Sequence, residues 1–315
     1  MNQKTKILVV GLGGVGGFYG GLLANKYENN EEVEVSFIAR GEHLKKISEN
    51  GLKVIFDQNE IVGKPYIATD DFSKVGKVDY LIMATKGYDL KPTFEQMKAC
   101  VGENTVILPL LNGVEAYEDL NSFFDYATVW QGCTYMISRL KEPGVIDNPS
   151  GRQKIYFGKE HDLTEQMMAF EKLLVEAGIN AIATSDIDKE IWEKYILVSA
   201  SATATAYYNC SMKDTATLHP QETKELLEEA SAIARARNIN IDKDIVSVIF
   251  DRLKVMAEGA TTSMHSDFLA GKESTELSIM TEYMVRQGEK LGIATPMYSK
   301  MLASLKNRIG SKYSA

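Results

Sequence analysis

A glycine-rich stretch at residues 6–17, K-I-L-V-V-G-L-G-G-V-G-G, constrains the fold of this chain more than any other part of its sequence. Residues 7–10 are an uncharged run of β-branched and aliphatic side chains, which is typical of a parallel strand buried on both faces. Gly11, Gly13 and Gly16 then form the pattern G-x-G-x-x-G, and residues 18–27, which can become helical, follow. Strand, glycine turn and helix in this order predict a unit that binds a dinucleotide.

Each glycine of the motif has a physical role in such a unit. Gly11 allows the tight turn, Gly13 lets a pyrophosphate approach the backbone, and Gly16 lets the helix pack close to the strand. The first turn of the helix offers free N–H groups and the positive end of its dipole to the phosphates. The alternative is a glycine turn with a purely structural role. We expect the cofactor to be held by Gly11, Leu12, Gly13, Gly14, Val15 and Gly16.

Arg40 ends the second predicted strand, at residues 33–40. In a dinucleotide-binding fold the residue at this place meets the adenosine ribose. An acidic side chain there accepts from the 2′-hydroxyl, whereas an arginine accommodates a 2′-phosphate. Arg40 therefore favours NADP(H) over NAD(H). The alternative is an ordinary solvated arginine at the start of a helix, which is predicted for residues 41–50.

Two further polar residues follow buried strands. Lys86 comes shortly after the run 79–84, and Asn112 comes shortly after the run 105–110. Ligands of open α/β sheets bind beyond the carboxyl ends of the strands. Lys86 is therefore placed to meet a cofactor phosphate or ribose, and Asn112 to meet nicotinamide or substrate. Each also has a plain interpretation, as an exposed lysine and as a turn asparagine before a glycine.

The first half of the chain continues to alternate between strands and helices. Residues 128–138, 154–158 and 179–184 are strand-like, and Pro143-Gly144 marks a turn between the first two of them. Residues 163–177 have apolar side chains three or four apart, which predicts an amphipathic helix.

From Ser185 onward only helices are predicted. A Ser185-x-x-Asp188 pattern resembles a capping box at the start of the first of these helices. Further helices are predicted at residues 221–238, 242–258, 274–291 and 296–308. The change of period predicts the α/β class with two domains. A Rossmann-type dinucleotide-binding domain is expected at 1–186 and an all-α domain at 187–315.

The net charge and the cysteines limit the kinds of partner and cofactor that we expect for the chain. The 315 residues carry a formal net charge of -8, which argues against nucleic acid and against an anionic membrane surface. No apolar run approaches the roughly 20 residues that span a bilayer. Cys100, Cys133 and Cys210 form no metal or redox pattern, so we expect reduced thiols in a cytoplasmic protein without a metal. A homodimer is permitted by the small-residue tract at 199–206 but is not indicated by it.

Several separated motifs follow one another in the order found in one enzyme family. They are G-L-G-G-V-G at 11–16, R-G-x-H-L at 40–44, N-G-V-E at 112–115, I-W-x-K at 191–194, H-P at 219–220, S-M-x-x-D at 263–267, T-E at 275–276 and L-G-I-x-x-P at 291–296. Together they resemble the ketopantoate reductases (2-dehydropantoate 2-reductases), over essentially the whole chain.

The resemblance implies reduction of 2-dehydropantoate to pantoate by NADPH, a step of pantothenate biosynthesis. Lys194 matches the family's catalytic lysine, and Glu276 matches its acidic residue near the substrate. Asn112 matches an asparagine beside nicotinamide and substrate, Ser263 a serine that helps to hold the substrate, and Lys86 a lysine that contacts the cofactor. Without the resemblance, Lys194 would be interpreted as an exposed helix lysine and Glu276 as an acid at a helix N-terminus.

The chain departs from the family's pattern where asparagines are expected. Val198 and the tract 199–203 stand in place of two of them, Met212 in place of a third, and Thr281-Glu282 in place of an Asn-Gly pair. Ser199 is the candidate in this tract to replace a lost substrate contact. Because losing such a bond changes discrimination between substrates, another 2-keto acid is an alternative substrate. A non-catalytic NADPH-binding sensor and a 3-hydroxyacid dehydrogenase are further alternatives.

Overall fold

The computed structural model of the protein describes residues 4–85, 90–272 and 274–310. Contacts between residues divide the chain into two compact units. Unit 1 consists of Met1–Leu111 and Glu115–Ile187, and unit 2 consists of Asn112–Val114 and Asp188–Ala315. Unit 1 contains a parallel sheet with helices, whereas the described elements of unit 2 are helical. The predicted α/β class, with an N-terminal parallel sheet and a helical C-terminal part, is confirmed.

The described residues of unit 1 form three sheets. Its strands are β1 (Thr5–Val10), β2 (Val33–Ile38), β3 (Leu52–Phe56), β4 (Asn59–Gly63), β5 (Ile67–Thr69), β6 (Tyr80–Met83), β7 (Val106–Pro109), β8 (Thr128–Val129), β9 (Gln131–Met136), β10 (Arg139–Glu142), β11 (Val145–Asn148), β12 (Gln153–Gly158) and β13 (Ala181–Ala183). The central sheet has the order β5-β2-β1-β6-β7-β8 with every neighbouring pair parallel. The smaller sheets have the orders β10-β11-β3-β4 and β13-β12-β9.

The burial of residues 7–10 of β1 shows why this run carries no charge. Ile7 and Val9 belong to the apolar cluster on one side of the central sheet, and Leu8 and Val10 to the cluster on the other side. All four side chains are buried. Successive residues of a strand point to opposite faces, so a central strand covered on both sides needs a continuous apolar run.

The helices of unit 1 cover these sheets. They are α1 (Gly14–Lys26), α2 (Gly41–Asn50), α3 (Leu90–Met97), α4 (Glu115–Phe123) and α5 (Glu165–Glu176). α1 packs against β2 of the central sheet and also against β3, β4 and β11 of the second sheet. This close approach requires small residues, because a Cβ at Gly21 would lie 2.3 Å from Val54 Cγ2. The helix is therefore apolar around most of its circumference rather than along one stripe.

Unit 2 is a set of packed helices around a separate core. Its helices are α6 (Ile187–Tyr208), α7 (Met212–Leu218), α8 (Pro220–Ala236), α9 (Ile245–Lys254), α10 (Ser263–Leu269), α11 (Tyr283–Leu291) and α12 (Pro296–Gly310), and a π turn (Ser278–Glu282) leads directly into α11. The small-residue tract 199–206 lies within α6 and is buried throughout. No described helix has both the length and the apolar character that a membrane crossing requires.

Several predicted elements of unit 1 differ from the observed ones. α1 begins at Gly14, immediately after the glycine turn, rather than near residue 18. The predicted strand 128–138 is divided at Trp130 between two sheets, because the Trp130 ring stacks on Phe157 of the third sheet. The Pro143-Gly144 turn closes a hairpin of β10 and β11 that was not predicted. The four residues of β10 are all exposed and do not alternate between apolar and polar side chains, so the sequence shows no strand pattern there.

The predictions for unit 2 missed two short helices, α7 and α10. The Ser-x-x-Asp capping box occurs at Ser211 and Asp214, at the start of α7, whereas α6 begins at Ile187, beyond Ser185. The helix predicted for 274–291 begins instead with the π turn, which inserts one residue per turn and so breaks the expected 3.6-residue period.

Candidate active site

The glycine turn of unit 1 lies at the carboxyl end of β1. Gly11 has a φ of +89°, and a Cβ there would lie 2.7 Å from the backbone nitrogen of Thr85. A Cβ at Gly16 would lie 2.2 Å from the carbonyl oxygen of Gly11. The first and third glycines of the motif are therefore required by the packing of the fold itself.

The second glycine of the motif is not required in this way. Gly13 precedes α1 with a φ of -76° and a ψ of -157°, a conformation open to any residue. A Cβ at Gly13 would meet no heavy atom within 4 Å. Glycine at this place leaves the first N–H groups of α1 uncovered, and that open space fits the approach of a pyrophosphate.

Two polar atoms beside this turn lack partners. Across the described residues, the buried side-chain nitrogens and oxygens without a hydrogen bond are Thr85 Oγ1 and His43 Nε2. The backbone of Thr85 adjoins Gly11, and the His43 ring lies against the backbone of Leu12 without closing a bond of normal geometry. Because buried polar groups are normally paired, both are suited to receive a bound dinucleotide.

The imidazole of His43 is held as a neutral donor. The Gly144 N–H donates to His43 Nδ1 at 2.8 Å. Burial lowers the pKa of His43, so the ring is uncharged near neutral pH. With Nδ1 accepting, the ring proton resides on Nε2. The sequence motif at 40–44 contained this histidine, but only the hairpin turn at Gly144, distant in sequence, shows what orients it.

The structure places Arg40 beside the same edge of the sheet. Arg40 immediately precedes α2 and is exposed. β2 is parallel to β1 and adjacent to it, so their carboxyl ends share one edge. Lys86 lies outside the described residues, and its contact with the cofactor stays a prediction. Thr85 was missed by the sequence interpretation, although it follows a buried strand just as Lys86 does.

Unit 2 brings four of the predicted site residues together. Lys194 Nζ donates to Asn112 Oδ1 at 3.1 Å, and Asn112 Nδ2 lies 3.4 Å from Glu276 Oε1. Ser263 Oγ donates to the other carboxylate oxygen of Glu276. We call this chain of hydrogen bonds through Lys194, Asn112, Glu276 and Ser263 the relay.

Each member of the relay comes from a different segment. Asn112 follows β7 and belongs to unit 2 with Gly113 and Val114, although the chain on either side of these three residues belongs to unit 1. Lys194 lies in the second turn of α6, and Ser263 is the first residue of α10. Glu276 lies just before the π turn. Single π turns of this kind are frequent at functional sites.

The relay combines a cation, an amide and a carboxylate in one hydrogen-bonded order. Asn112 accepts from the ammonium with its oxygen and donates to the carboxylate with its nitrogen, so its amide orientation is defined by its charged neighbours. Such an arrangement can deliver a proton from Lys194 and hold a substrate hydroxyl at Glu276. No group of three or more His, Cys, Asp or Glu side chains that could hold a metal ion occurs among the described residues.

Ser199 is not part of the relay. Its side chain is fully buried in the core of unit 2, where Ser199 Oγ lies 2.8 Å from Tyr298 Oη. The rotation of 100° per residue along a helix places Ser199 and Lys194 on different faces of α6. The geometry assigns the Ser199 hydroxyl to helix packing, so its predicted contact with substrate receives no support.

Comparison with known proteins covers both units. The family model described as ketopantoate reductase PanE/ApbA matches residues 7–161, and the model described as ketopantoate reductase PanE/ApbA C terminal matches residues 186–308. The two matches lie on the parts of the chain that carry the glycine turn and most of the relay, respectively.

Individual relatives align over nearly the full length of the chain. An uncharacterized oxidoreductase, YkpB, of Bacillus subtilis is 27% identical over 95% of this chain and 97% of its own. A 2-dehydropantoate 2-reductase of Lactococcus lactis is 26% identical over 95% of this chain and 96% of its own. The crystal structure of 2-dehydropantoate 2-reductase from Porphyromonas gingivalis W83 is 35% identical, with a TM-score of 0.86, over 96% of this chain and 99% of that one.

Proposed function

The chain belongs to the ketopantoate reductase family, and on that premise we propose that it reduces 2-dehydropantoate to pantoate with NADPH. As a member of this family it is an NAD(P)H-dependent oxidoreductase. The observation that carries the finer proposal is the relay, because it joins a proton donor, Lys194, to a carboxylate, Glu276, through a single amide.

Lys194 supplies the proton in this proposal. Bound NADPH would supply a hydride to the ketone carbon beside the substrate carboxylate. Negative charge then grows on the carbonyl oxygen, and the ammonium of Lys194 neutralises that charge and delivers its proton there. The bond from Lys194 Nζ to Asn112 Oδ1 limits the directions that the ammonium can take, so that its position is prepared before the substrate binds.

Glu276 and Ser263 hold the substrate in this proposal. The two carboxylate oxygens of Glu276 accept from different donors, Asn112 and Ser263, which fixes the plane of the carboxylate. A carboxylate has about four lone-pair positions, so each oxygen can accept a further bond from a substrate hydroxyl. The hydroxyl of 2-dehydropantoate matches this acceptor.

The choice of NADPH over NADH depends on Arg40. Arg40 follows β2 and immediately precedes α2, where an arginine of this fold accommodates a 2′-phosphate of the adenosine ribose, and its exposed side chain is available for a bidentate contact. The open backbone at Gly13 and the unpaired atoms of His43 and Thr85 support a bound dinucleotide at the same edge.

Another 2-keto acid is the second candidate substrate. Val198 lies one helical turn beyond Lys194 on the same face of α6, and its apolar side chain is partly exposed. Thr203 and Thr281, which stand near places where the resemblance leads us to expect asparagines, are buried and bonded to each other. The partly exposed Val198 side chain, with Thr203 and Thr281 bonded to each other, favours a substrate that has an apolar group near Val198. A sensor without catalysis is disfavoured, because it would need neither Lys194 nor the carboxylate it is joined to.

Steady-state oxidation of NADPH decides between these substrates. Purified protein is assayed with 2-dehydropantoate and with a panel of 2-keto acids that differ in their side chains, each with NADPH and with NADH. The highest kcat/KM is expected for 2-dehydropantoate with NADPH. Turnover of another keto acid but not of 2-dehydropantoate would refute the named substrate, and binding of NADPH without any turnover would favour the sensor.

We also place the enzyme in the cytoplasm. None of Cys100, Cys133 and Cys210 forms a disulfide. Burial raises the pKa of Cys100 to about 11 and that of Cys210 to about 11, so neither is a reactive thiolate near neutral pH. Cysteines without disulfides suit a reducing compartment.

A further inference from the structure

Two buried threonines of α6 bond to the segments that carry Ser263 and Glu276. Thr205 Oγ1 lies 2.9 Å from Thr262 Oγ1, and Thr203 Oγ1 lies 2.8 Å from Thr281 Oγ1. Thr203, Thr205 and Thr281 are each 0% exposed. Because Lys194 is on the same helix as Thr203 and Thr205, one rigid element holds the proton donor and both of these anchors.

The bonds around Thr205 have a defined direction. Thr205 Oγ1 donates to the carbonyl oxygen of Ser201 at 2.7 Å, which leaves its lone pairs for the hydroxyl of Thr262. Thr262 in turn accepts from the backbone N–H of His265 as the N-cap of α10. The cap therefore presents its oxygen to α10 and its proton to α6, and Ser263 follows it directly in the chain.

The second anchor holds the π turn that follows Glu276. Thr281 lies inside this turn, and the Met280 N–H donates to the carbonyl oxygen of Glu276 at 3.0 Å. Tyr195, which is adjacent to Lys194, donates from its hydroxyl to the carbonyl oxygen of Ile279 in the same turn. The turn is thus tied to α6 at Ile279 and at Thr281, and the bond from the Met280 N–H connects it to Glu276.

From this geometry we infer that Thr205 and Thr203 are positioning residues of the active site. Thr205 sets the place of Ser263 through the Thr262 cap, and Thr203 sets the place of Glu276 through Thr281. Neither threonine is a member of the relay. The inference rests on the proposed function only in taking the relay as the catalytic group.

Hydroxyl pairs suit this task better than apolar contacts do. A hydrogen bond fixes distance and direction, whereas apolar packing is non-directional. α10 has seven residues and would be marginal as an isolated helix, so the bond from Thr262 to α6 is needed to define where it starts. Replacing Thr203 leaves the Thr281 hydroxyl buried without this bond, and replacing Thr205 takes from the partly buried Thr262 its bond to α6, so the effect of each substitution is local.

Valine and serine substitutions test the inference in the full-length protein. Thr205→Val and Thr203→Val keep the branched shape and remove the hydroxyl, and each is expected to lower kcat roughly ten- to a hundredfold while KM for the keto acid changes less. The Kd of NADPH should stay unchanged. Thr205→Ser and Thr203→Ser retain the hydroxyl and should restore kcat to within a fewfold of the wild type.

Thr223→Val is the matched control. Thr223 is also 0% exposed, and its hydroxyl also bonds between two helices, to the carbonyl oxygen of Thr215 at 2.7 Å, but neither residue belongs to α6, α10 or the π turn. It should lower the Tm by about as much as Thr205→Val without lowering kcat. If all three valine variants lower kcat equally, or if Thr205→Val and Thr203→Val keep wild-type kcat, the positioning role is wrong.

Hydrogen exchange measured by mass spectrometry provides a readout that does not depend on turnover. Thr205→Val should increase deuterium uptake in residues 263–269, and Thr203→Val in residues 276–283, whereas Thr223→Val should leave both segments protected. If the wild type turns over no keto acid, the proposed function fails, and these uptake patterns alone then decide the positioning role. Unchanged uptake in both segments would overturn it.

Discussion

The glycine turn of unit 1 and the relay of unit 2 are formed by different kinds of chemical group. The turn consists of backbone: Gly11 and Gly16 are required by close packing, and Gly13 leaves the N–H groups at the start of α1 uncovered. The relay consists of side chains that come from Asn112, Lys194, Ser263 and Glu276. One site is encoded within six consecutive residues, and the other by four residues spread over more than half the chain.

This difference determines what can be learned from each site by substitution. In a site made of backbone, an added Cβ acts on the ligand or on the fold, depending only on the space around it. In a site made of side chains, truncation removes a chemical group and leaves the backbone in place. The relay should therefore show losses of rate, and the glycine turn losses of affinity.

Lys194→Ala should produce the largest effect. Removing the general acid is expected to lower kcat about 10²- to 10⁴-fold, while the Kd of NADPH, measured by fluorescence titration, stays within about twofold. Lys189→Ala is the matched control, because Lys189 lies on the same helix but is paired with Asp242 at 2.6 Å. Equal rates for the two variants would remove Lys194 from the chemistry.

Gly13→Ala should weaken the binding of NADPH without weakening the fold. Its Cβ meets no protein atom within 4 Å, so the Tm should stay at the wild-type value, whereas lost bonds to the pyrophosphate should raise the Kd about a hundredfold. Gly16→Ala provides the contrast, because its Cβ would lie 2.2 Å from the Gly11 carbonyl oxygen and should lower the Tm strongly. A Gly13→Ala protein that binds NADPH normally would contradict the placement of the pyrophosphate.

Arg40→Ala tests the single side chain that the glycine-turn region adds for specificity. The Kd of NADPH should rise about tenfold and that of NADH little, because only the former loses a charged contact. Both constants are measured by titration on the same preparation. A parallel rise of both would end the assignment of Arg40 to the 2′-phosphate.

Glu229→Gln should give the smallest effect. It extends the comparison to the start of α12, where a side chain of the protein already accepts the free N–H groups. The Glu229 carboxylate accepts the N–H groups of Met297 and Tyr298, in the first turn of α12, at 2.8 and 3.0 Å. Burial raises the pKa of Glu229, so the folded state binds more protons than the unfolded state just above the ordinary range of a carboxyl group. The contribution of Glu229 to stability should therefore fall as the pH rises from about 4 toward 7.

The glutamine variant lacks this titrating carboxyl group. Its free energy of unfolding relative to the wild type should increase over the same pH range, by less than the roughly 1 kcal/mol typical of a helix cap. Denaturant unfolding at pH 4, 5, 6 and 7 measures the difference. A difference that is independent of pH would show that Glu229 does not titrate there.

Local signals were sufficient for most of the central sheet. The buried run at 7–10 and the helix at Gly41–Asn50 were predicted at their observed places, because a continuous apolar strand and a glycine at each helix boundary are properties of neighbouring residues. Gly51, which follows this helix, has a φ of +77°, a conformation that favours glycine.

Elements that depend on distant partners were not predicted. The exposed strand β10 has no alternating pattern of its own and exists through its pairing with β11. α7 and α10 have seven residues each, too few to show a helical period. Ser199 was a reasonable candidate for a substrate contact by its position in the chain, but Tyr298, about a hundred residues later, takes its hydroxyl.

The relay could be named from the sequence only through the family resemblance. Lys194 on a helix and Glu276 near a helix start each have an ordinary interpretation, and nothing in their spacing indicates that one amide joins them. The domain boundary that we propose at residue 186 likewise rests on the change from alternating strands and helices to helices alone. Such a change cannot reveal that three residues within the first half, Asn112–Val114, belong to unit 2.

That exception, Asn112–Val114, affects how the protein can be recombined. A single crossover near residue 187 between this gene and that of a relative would place Lys194, Ser263 and Glu276 from one parent beside Asn112 from the other. A fragment that encodes only residues 188–315 would lack the amide altogether. The coding segment that corresponds to the relay is thus discontinuous, so a chimera that keeps one parent's relay together must transfer residues 112–114 along with the C-terminal half.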